Sequence, residues 1–104
     1  MSDLVRLSAT EGLRLMRAGQ LSPVEWLDAL LDRVDACEPH VNAVVDRRDD
    51  EARAEAAAAA DRYARGAALP LDGVPVAAKE EQPMRGRSWQ QGSLTLRDTV
   101  ATED

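Results

Sequence analysis

The chain has 104 residues and a formal net charge of −6, and 44% of its residues are hydrophobic, 31% charged and 3% aromatic. That length allows one domain at most and lies near the lower limit for a self-sufficient core. The acidic balance argues against sequence-independent nucleic-acid binding, which depends on Lys and Arg neutralising phosphates. No apolar run approaches the roughly 20 residues that a membrane span needs, so no membrane partner is expected.

The amino-terminal residues and the cysteine content favour a cytoplasmic protein. Residues 1–7 lack a basic region followed by an apolar stretch, so no secretory signal is expected. The single cysteine, Cys37, cannot form an internal disulfide. We interpret it as inert packing, and nothing requires an oxidising compartment.

The first predicted helix begins at a capping box. In such a box the Ser8 hydroxyl and the Glu11 side chain satisfy free backbone amides. Leu13 and Met16 would face inward, and Gly19 would end the helix in a left-handed conformation.

The second predicted helix has a stronger start. Ser22 is the cap, Pro23 stands where no amide bond is lost, and Glu25 closes the box. We expect Pro39 to end this helix. Its apolar face follows from helical spacing: Trp26, Leu27, Leu30, Leu31 and Val34.

Two short apolar segments after this helix are predicted to be strands. Residues 41–45 resemble a short buried strand. A third helix follows over about residues 50–65, with Gly66 as its terminator. Residues 74–78 form the second segment, with Pro75 at a strand start or at an unpaired position because proline cannot donate to a sheet ladder. Since two short strands are marginal in water, the resulting α/β fold is expected to be incomplete in this chain.

Lys79, at the end of the second apolar segment, is the candidate with the most chemical interest. It is the single Lys in a chain that otherwise uses Arg. Partial burial would lower the pKa of a lysine and make it a general base near neutrality, whereas arginine does not deprotonate in proteins. The alternative is a solvated lysine at a strand end, as most lysines are.

The remaining polar candidates are more simply explained as surface groups. His40 has no second histidine or cysteine pair with which to hold a metal. Glu80 and Glu81 would point to opposite faces of an extended segment, so they are not expected to share a site. Arg85 and Arg87 could grip an anion, although a solvated loop is the simpler interpretation.

Several of these segments together resemble the amidase signature family. They are residues 21–25, residues 41–45 and, above all, the lysine segment, Asp72-Gly73-Val74-Pro75-Val76-Ala77-Ala78-Lys79-Glu80. The stretch from Gly92-Ser93 to Asp104 looks like the family's continuation. The resemblance covers nearly the whole chain in the right order, and the Gly-Val-Pro-Val-x-x-Lys pattern is its most specific part.

The resemblance implies an amide hydrolase without cofactor or metal. Such enzymes cleave carboxamide C–N bonds with a Ser–Ser–Lys triad on a large α/β fold with a mixed central sheet. Lys79 would be the catalytic base that activates a serine nucleophile through a second serine. Residues 1–104 would then be the amino-terminal part of one amidase domain, mainly helical over 1–68, with the strand, the lysine and a loop over 69–104.

The chain also departs from the family pattern. Both triad serines belong to a downstream Gly/Ser-rich signature that these residues do not reach, and neither Ser88 nor Ser93 is assigned to it. Glu80 stands where Asp is common, and Ser88-Trp89-Gln90 replaces a usually small, threonine-rich stretch. The amide substrate is therefore open, as are the substrate-binding residues. A homodimer or a missing carboxy-terminal part is the expected partner.

An amidase piece and a small non-catalytic helical interaction module predict different behaviour for the isolated chain. A self-sufficient module would bury Trp26 and unfold in one sharp thermal transition. We expect instead partial solubility or aggregation, because a piece leaves sheet edges and helix faces without partners. Thermal unfolding followed by circular dichroism separates the two.

Overall fold

In the part of the chain that the structure describes, three α-helices make up most of the regular structure. The computed structural model describes residues 2–80, 82–87, 89–90, 93–96 and 98–104. The helices are α1 (Ala9–Arg17), α2 (Pro23–Val41) and α3 (Asp49–Ala64), with 3-10 helices at Ser2–Arg6 and Leu94–Leu96. The chain divides into a first unit, Met1–Asn42 with Arg48–Pro75, and a second unit, Ala43–Arg47 with Val76–Asp104. Within the described ranges, no helix is long and apolar enough to cross a membrane.

Helix α1 begins and ends where the sequence predicts. The Ser8 hydroxyl accepts a hydrogen bond from the Glu11 amide at 3.1 Å. The Glu11 carboxylate pairs with Arg14 at 2.6 Å instead of completing the capping box. Gly19 adopts φ +72°, and the next amide, that of Gln20, closes back on the last turn.

Helix α2 carries the complete capping box that the sequence predicts. The Ser22 hydroxyl accepts from the Val24 amide at 3.2 Å, and the Glu25 carboxylate accepts from the Ser22 amide. Pro23 occupies the first turn, where a missing amide costs nothing. The start of α2 is therefore fixed by local chemistry alone.

The predicted end of α2 at Pro39 is wrong. The helix continues through Pro39 to Val41, and Asn42 ends it in the left-handed conformation at φ +49°. The Asn42 amide donates to the Glu38 carbonyl at 2.8 Å. A proline removes one helical hydrogen bond but does not forbid another half turn, and asparagine tolerates left-handed backbone better than most residues.

Helix α3 lies one residue from its predicted bounds and packs against α2. Gly66 follows its end at φ +68°, as predicted. Two alanines of α3 are buried, Ala56 and Ala59. Small side chains at these positions allow close approach of the neighbouring helix, which accounts for two of the alanines in the run of residues 56–60.

The core of the first unit forms around Trp26. Its ring is 3% exposed, and its Nε1 donates to the Leu4 carbonyl at 3.1 Å. The ring lies directly against Gly12 of α1: a Cβ at Gly12 would stand 2.8 Å from Cζ2 and closer still to two other ring atoms. The buried cluster comprises Leu13, Met16, Leu21 and Trp26.

Neither predicted strand forms. In the part of the chain that the structure describes there are helices and turns but no strand. Val45 is 69% exposed and Val76 is 83% exposed, so these segments are not buried either. A strand needs a neighbour to satisfy its backbone amides and carbonyls. The α/β expectation is therefore not met within these residues, which are helical.

The second unit is held by backbone hydrogen bonds between residues 10 to 15 positions apart in the sequence. The Gly86 amide donates to the Ala101 carbonyl at 2.9 Å, and the Ala101 amide donates to the Arg87 carbonyl at 3.0 Å. The Trp89 amide donates to the Thr99 carbonyl at 2.9 Å. This pairing fastens the chain after the lysine segment to the last residues.

The lysine segment is joined at its first residue, Asp72, to α3 and to the loop before it. We call the group formed by Arg62, Tyr63, Leu69 and Asp72 the Asp72 anchor. The Asp72 carboxylate accepts two hydrogen bonds from Arg62, at 2.6 and 2.8 Å, and one from the Leu69 amide at 2.8 Å. The Tyr63 hydroxyl donates to the Asp72 carbonyl at 2.8 Å. Bidentate pairing of this kind fixes direction as well as distance.

Gly73, the next residue, lies tightly against α1 and the start of α2. A Cβ there would stand 2.7 Å from Met16 Sδ and 2.9 Å from Pro23 Cγ. Its φ of +84° is also a conformation that favours glycine. The Asp-Gly pair of the lysine segment thus joins the loop to all three helices.

The Asp72 anchor lowers the pKa of Asp72 to about 2. The hydrogen bonds from Arg62 are the main cause, and the Leu69 amide adds to them. Burial raises the pKa of the Tyr63 hydroxyl, so this group stays protonated as a donor. Both groups therefore hold their hydrogen-bonding forms at neutral pH.

Gly12→Ala should destabilise the first unit by about 1–3 kcal/mol, because the added methyl overlaps the Trp26 ring in a packed core. At an exposed helical position the same change would stabilise by up to about 1 kcal/mol, so the sign alone is informative. Urea unfolding measures it. In a Trp26→Leu background the cost should shrink; an undiminished cost would contradict the assigned contact.

Asp72→Asn should lower the urea midpoint at neutral pH and lose this effect in acid. A depressed pKa stabilises above the unfolded pKa of about 4 and ceases to do so as pH falls towards about 2. The midpoints of the two proteins should therefore converge between these values. Asp61→Asn, which removes an exposed ion pair with Arg65, is the control and should change little. A constant gap across this range would refute the assignment.

Candidate functional site

Lys79 lies on an exposed stretch of irregular backbone in the second unit. The chain bends just after it, where the Gln82 amide donates to the Lys79 carbonyl at 2.9 Å. Lys79 as a residue is exposed to solvent. The sequence-based expectation of a lysine at a strand end is not met, because no strand precedes it in the described residues.

Glu80 is half-buried and has a structural contact. Its carboxylate accepts a hydrogen bond from the Gln90 amide, which links the lysine segment to the loop ten residues later. The expectation that Glu80 is a solvated surface group is thus corrected. Glu81, its sequence neighbour, lies outside the described residues.

The other polar candidates do not come together in a common site within the described residues. His40 is exposed near the end of α2, and Cys37 is half-buried in the same helix. In the described ranges, no group of three His, Cys, Asp or Glu residues could hold a metal ion. The Arg85 side chain is exposed, while its backbone amide donates to the Asp104 carboxylate at 2.9 Å.

The serine near the end of the chain is engaged locally. Ser93 Oγ lies 2.7 Å from Thr95 Oγ1 and accepts from the Thr95 amide at 3.3 Å. Ser88 and Gly92 lie outside the described residues. Nothing in these contacts assigns Ser93 to a triad.

Asp72 is the residue that sequence reasoning overlooked. It appeared there only as the first residue of the lysine segment, whereas its carboxylate accepts three hydrogen bonds and its pKa is lowered to about 2. The available signal was weak: an arginine ten residues earlier, on a predicted helix, at a spacing that local rules do not cover.

Comparison with known proteins places the chain in a family. The family model for amidases matches residues 25–104. The glutamyl-tRNA(Gln) amidotransferase subunit of Granulibacter bethesdensis is 38% identical over 100 residues, covering 96% of this chain and 20% of that protein. The indoleacetamide hydrolase of Bradyrhizobium diazoefficiens is 38% identical over 98 residues, covering 93% and 19%. The chain thus spans about a fifth of the length of these relatives.

A solved structure agrees with these relatives. The crystal structure of a bacterial aryl acylamidase of the amidase signature family superposes with a TM-score of 0.72 at 33% identity, over 91% of this chain and 20% of that one. The matched region contains the lysine segment with its Gly-Val-Pro-Val-x-x-Lys pattern. On the family model, the relatives and the shared fold, this chain belongs to the amidase signature family.

Proposed function

We propose that this chain supplies the catalytic base, Lys79, of an enzyme that hydrolyses carboxamide C–N bonds. The observation that carries the proposal is the Gly-Val-Pro-Val-x-x-Lys pattern inside the region that matches the amidase family. Lys79 is the single lysine of the chain, and its side chain is accessible. Its neutral amine can accept a proton, which none of the chain's arginines can do.

The reaction needs two serines in addition to Lys79. The lysine amine takes a proton through the bridging serine, and the second serine oxygen attacks the amide carbon. The C–N bond breaks, the amine leaves with a proton, and water then cleaves the ester to give the carboxylic acid and the free serine. We place both serines in the Gly/Ser-rich signature outside these 104 residues. The isolated chain should therefore be inactive, because a base without its nucleophile has no covalent route.

We further propose that residues 1–104 are the amino-terminal part of one amidase domain whose mixed sheet is completed by other residues. The exposure of Val45 and Val76 supports this, since both are β-branched residues in short apolar segments that form no strand within the described residues. Residues 41–45 and 74–78 would become strands in that sheet. The required partner is then the remainder of the amidase domain, in a cytoplasmic enzyme, with a homodimer as the alternative assembly.

A second candidate is an amidotransferase component that releases ammonia from an amide and passes it on. Relatives named as glutamyl-tRNA(Gln) amidotransferase subunits, at 38% identity, favour it. The C–N cleavage is the same in both functions, so Lys79 has the same role. Ammonia release from glutamine, compared with release from small aryl and alkyl amides, distinguishes them.

Lys79→Ala should lower amide hydrolysis by more than about 1,000-fold in the amidase purified from the host that makes this chain. Lys79→Arg should lose as much, because it keeps the charge but cannot act as a base. Release of ammonia or amine is the measurement.

Arg33→Ala is the matched control, since it removes one exposed cation from α2 and should leave the rate unchanged. Retained hydrolysis in both Lys79 variants would overturn the assignment of the base. An enzyme without any amide-hydrolysing activity would overturn the function as a whole.

A further inference from the structure

The lysine segment begins in the helical first unit, and only a few of its residues separate that unit from Lys79. The Asp72 anchor fixes residue 72 through four hydrogen bonds. Gly73 is held between Met16 and Pro23 with no room for a side chain. Val74 packs against the buried cluster. Three consecutive residues are thus fixed, each by a different kind of contact.

Few residues separate this fixed point from the lysine. Lys79 follows Val74 by five residues, so its Cα lies within about 18 Å of the Val74 Cα even in a fully extended chain. Pro75 holds its own φ near −65° and keeps Val74 out of the helical region. The backbone is therefore restricted at residues 74 and 75, the last two residues of the first unit.

We propose that Asp72 is a positioning residue for Lys79, acting through Arg62 and Tyr63 to fix the departure of the lysine segment from the helices. This inference rests on the proposed function, because it concerns the placement of that base. Asp72 itself takes no part in the chemistry.

The chemistry of the Asp72 anchor suits this task better than a general stabilising contact would. The two Arg62–Asp72 bonds use both carboxylate oxygens, so the side chain cannot rotate without breaking one of them. One of these oxygens also accepts from the Leu69 amide, which closes the turn. The Tyr63 hydroxyl holds the Asp72 carbonyl, so side chain and backbone are both fixed.

Asp72→Asn and Tyr63→Phe test the proposal in the amidase that contains this chain. The first removes one of the two acceptor oxygens, and the second removes a single hydroxyl while keeping the ring. We expect kcat to fall by about 10- to 100-fold for Asp72→Asn and by a smaller factor for Tyr63→Phe. KM for the amide should stay within about twofold, because the contacts that bind substrate are unchanged.

Trp26→Phe is the control for lost stability. It removes the indole bond to the Leu4 carbonyl and part of the core but leaves the Asp72 anchor intact. Where Trp26→Phe and Asp72→Asn lower the Tm by the same amount, Trp26→Phe should keep the wild-type kcat and Asp72→Asn should not. Hydrogen exchange of the Asp72 and Val74 amides, which donate to the Leu69 and Leu71 carbonyls, should quicken in Asp72→Asn and not in Trp26→Phe. Equal loss of kcat in the two proteins, or unchanged exchange over these residues, would reduce Asp72 to a stabilising role.

Lys79→Ala, measured beside these variants, separates this inference from the function on which it rests. If Lys79→Ala is inactive and Asp72→Asn keeps wild-type kcat, the positioning role is refuted and the base stands. If Lys79→Ala remains active, the proposed base is refuted and the positioning role with it. Hydrogen exchange still reports on the Asp72 anchor in a variant that is too weak to assay.

Discussion

The packing of Trp26 on Gly12 is the constraint from which the first unit is built. Without a Cβ at Gly12 the six-membered ring of the indole can lie directly against helix α1, and its Nε1 then reaches the Leu4 carbonyl. This brings α1, α2 and the initial 3-10 helix around one ring in a chain that contains no Phe and only three aromatic side chains. A small core can thus form where its length alone would make one marginal.

The helices could be predicted because their caps depend on residues that are close in the sequence. Contacts between residues far apart in the sequence could not be predicted in this way. The caps at Ser8 and Ser22 depend on residues within one turn, so a pattern suffices to find them. The predicted end of α2 at Pro39 was wrong, because a proline removes only one helical hydrogen bond. The helix instead ends at Asn42, whose left-handed backbone closes it. The expected strands would need partner strands, and no local sequence pattern reveals whether those partners are present. Asp72 was missed because its arginine stands ten residues away on another element.

For the candidate site, the sequence first drew attention to Lys79 as the single lysine at the end of an apolar segment, and the family resemblance then gave it the role of a base. The described structure leaves this lysine exposed, while the two residues that open the same motif are tightly held. The motif therefore combines two requirements in nine residues. Its beginning is a structural attachment to the helices, and its end carries an accessible amine.

The two tryptophans of the chain fall in different units, Trp26 in the first and Trp89 in the second. Trp26 is almost wholly buried, whereas Trp89 is half-buried. Each unit therefore carries its own intrinsic fluorophore, and the more apolar surroundings of Trp26 place its emission at shorter wavelength. When either tryptophan is replaced with phenylalanine, the fluorescence of the remaining one reports on one unit alone. The order in which the two units lose structure can therefore be followed without any added dye.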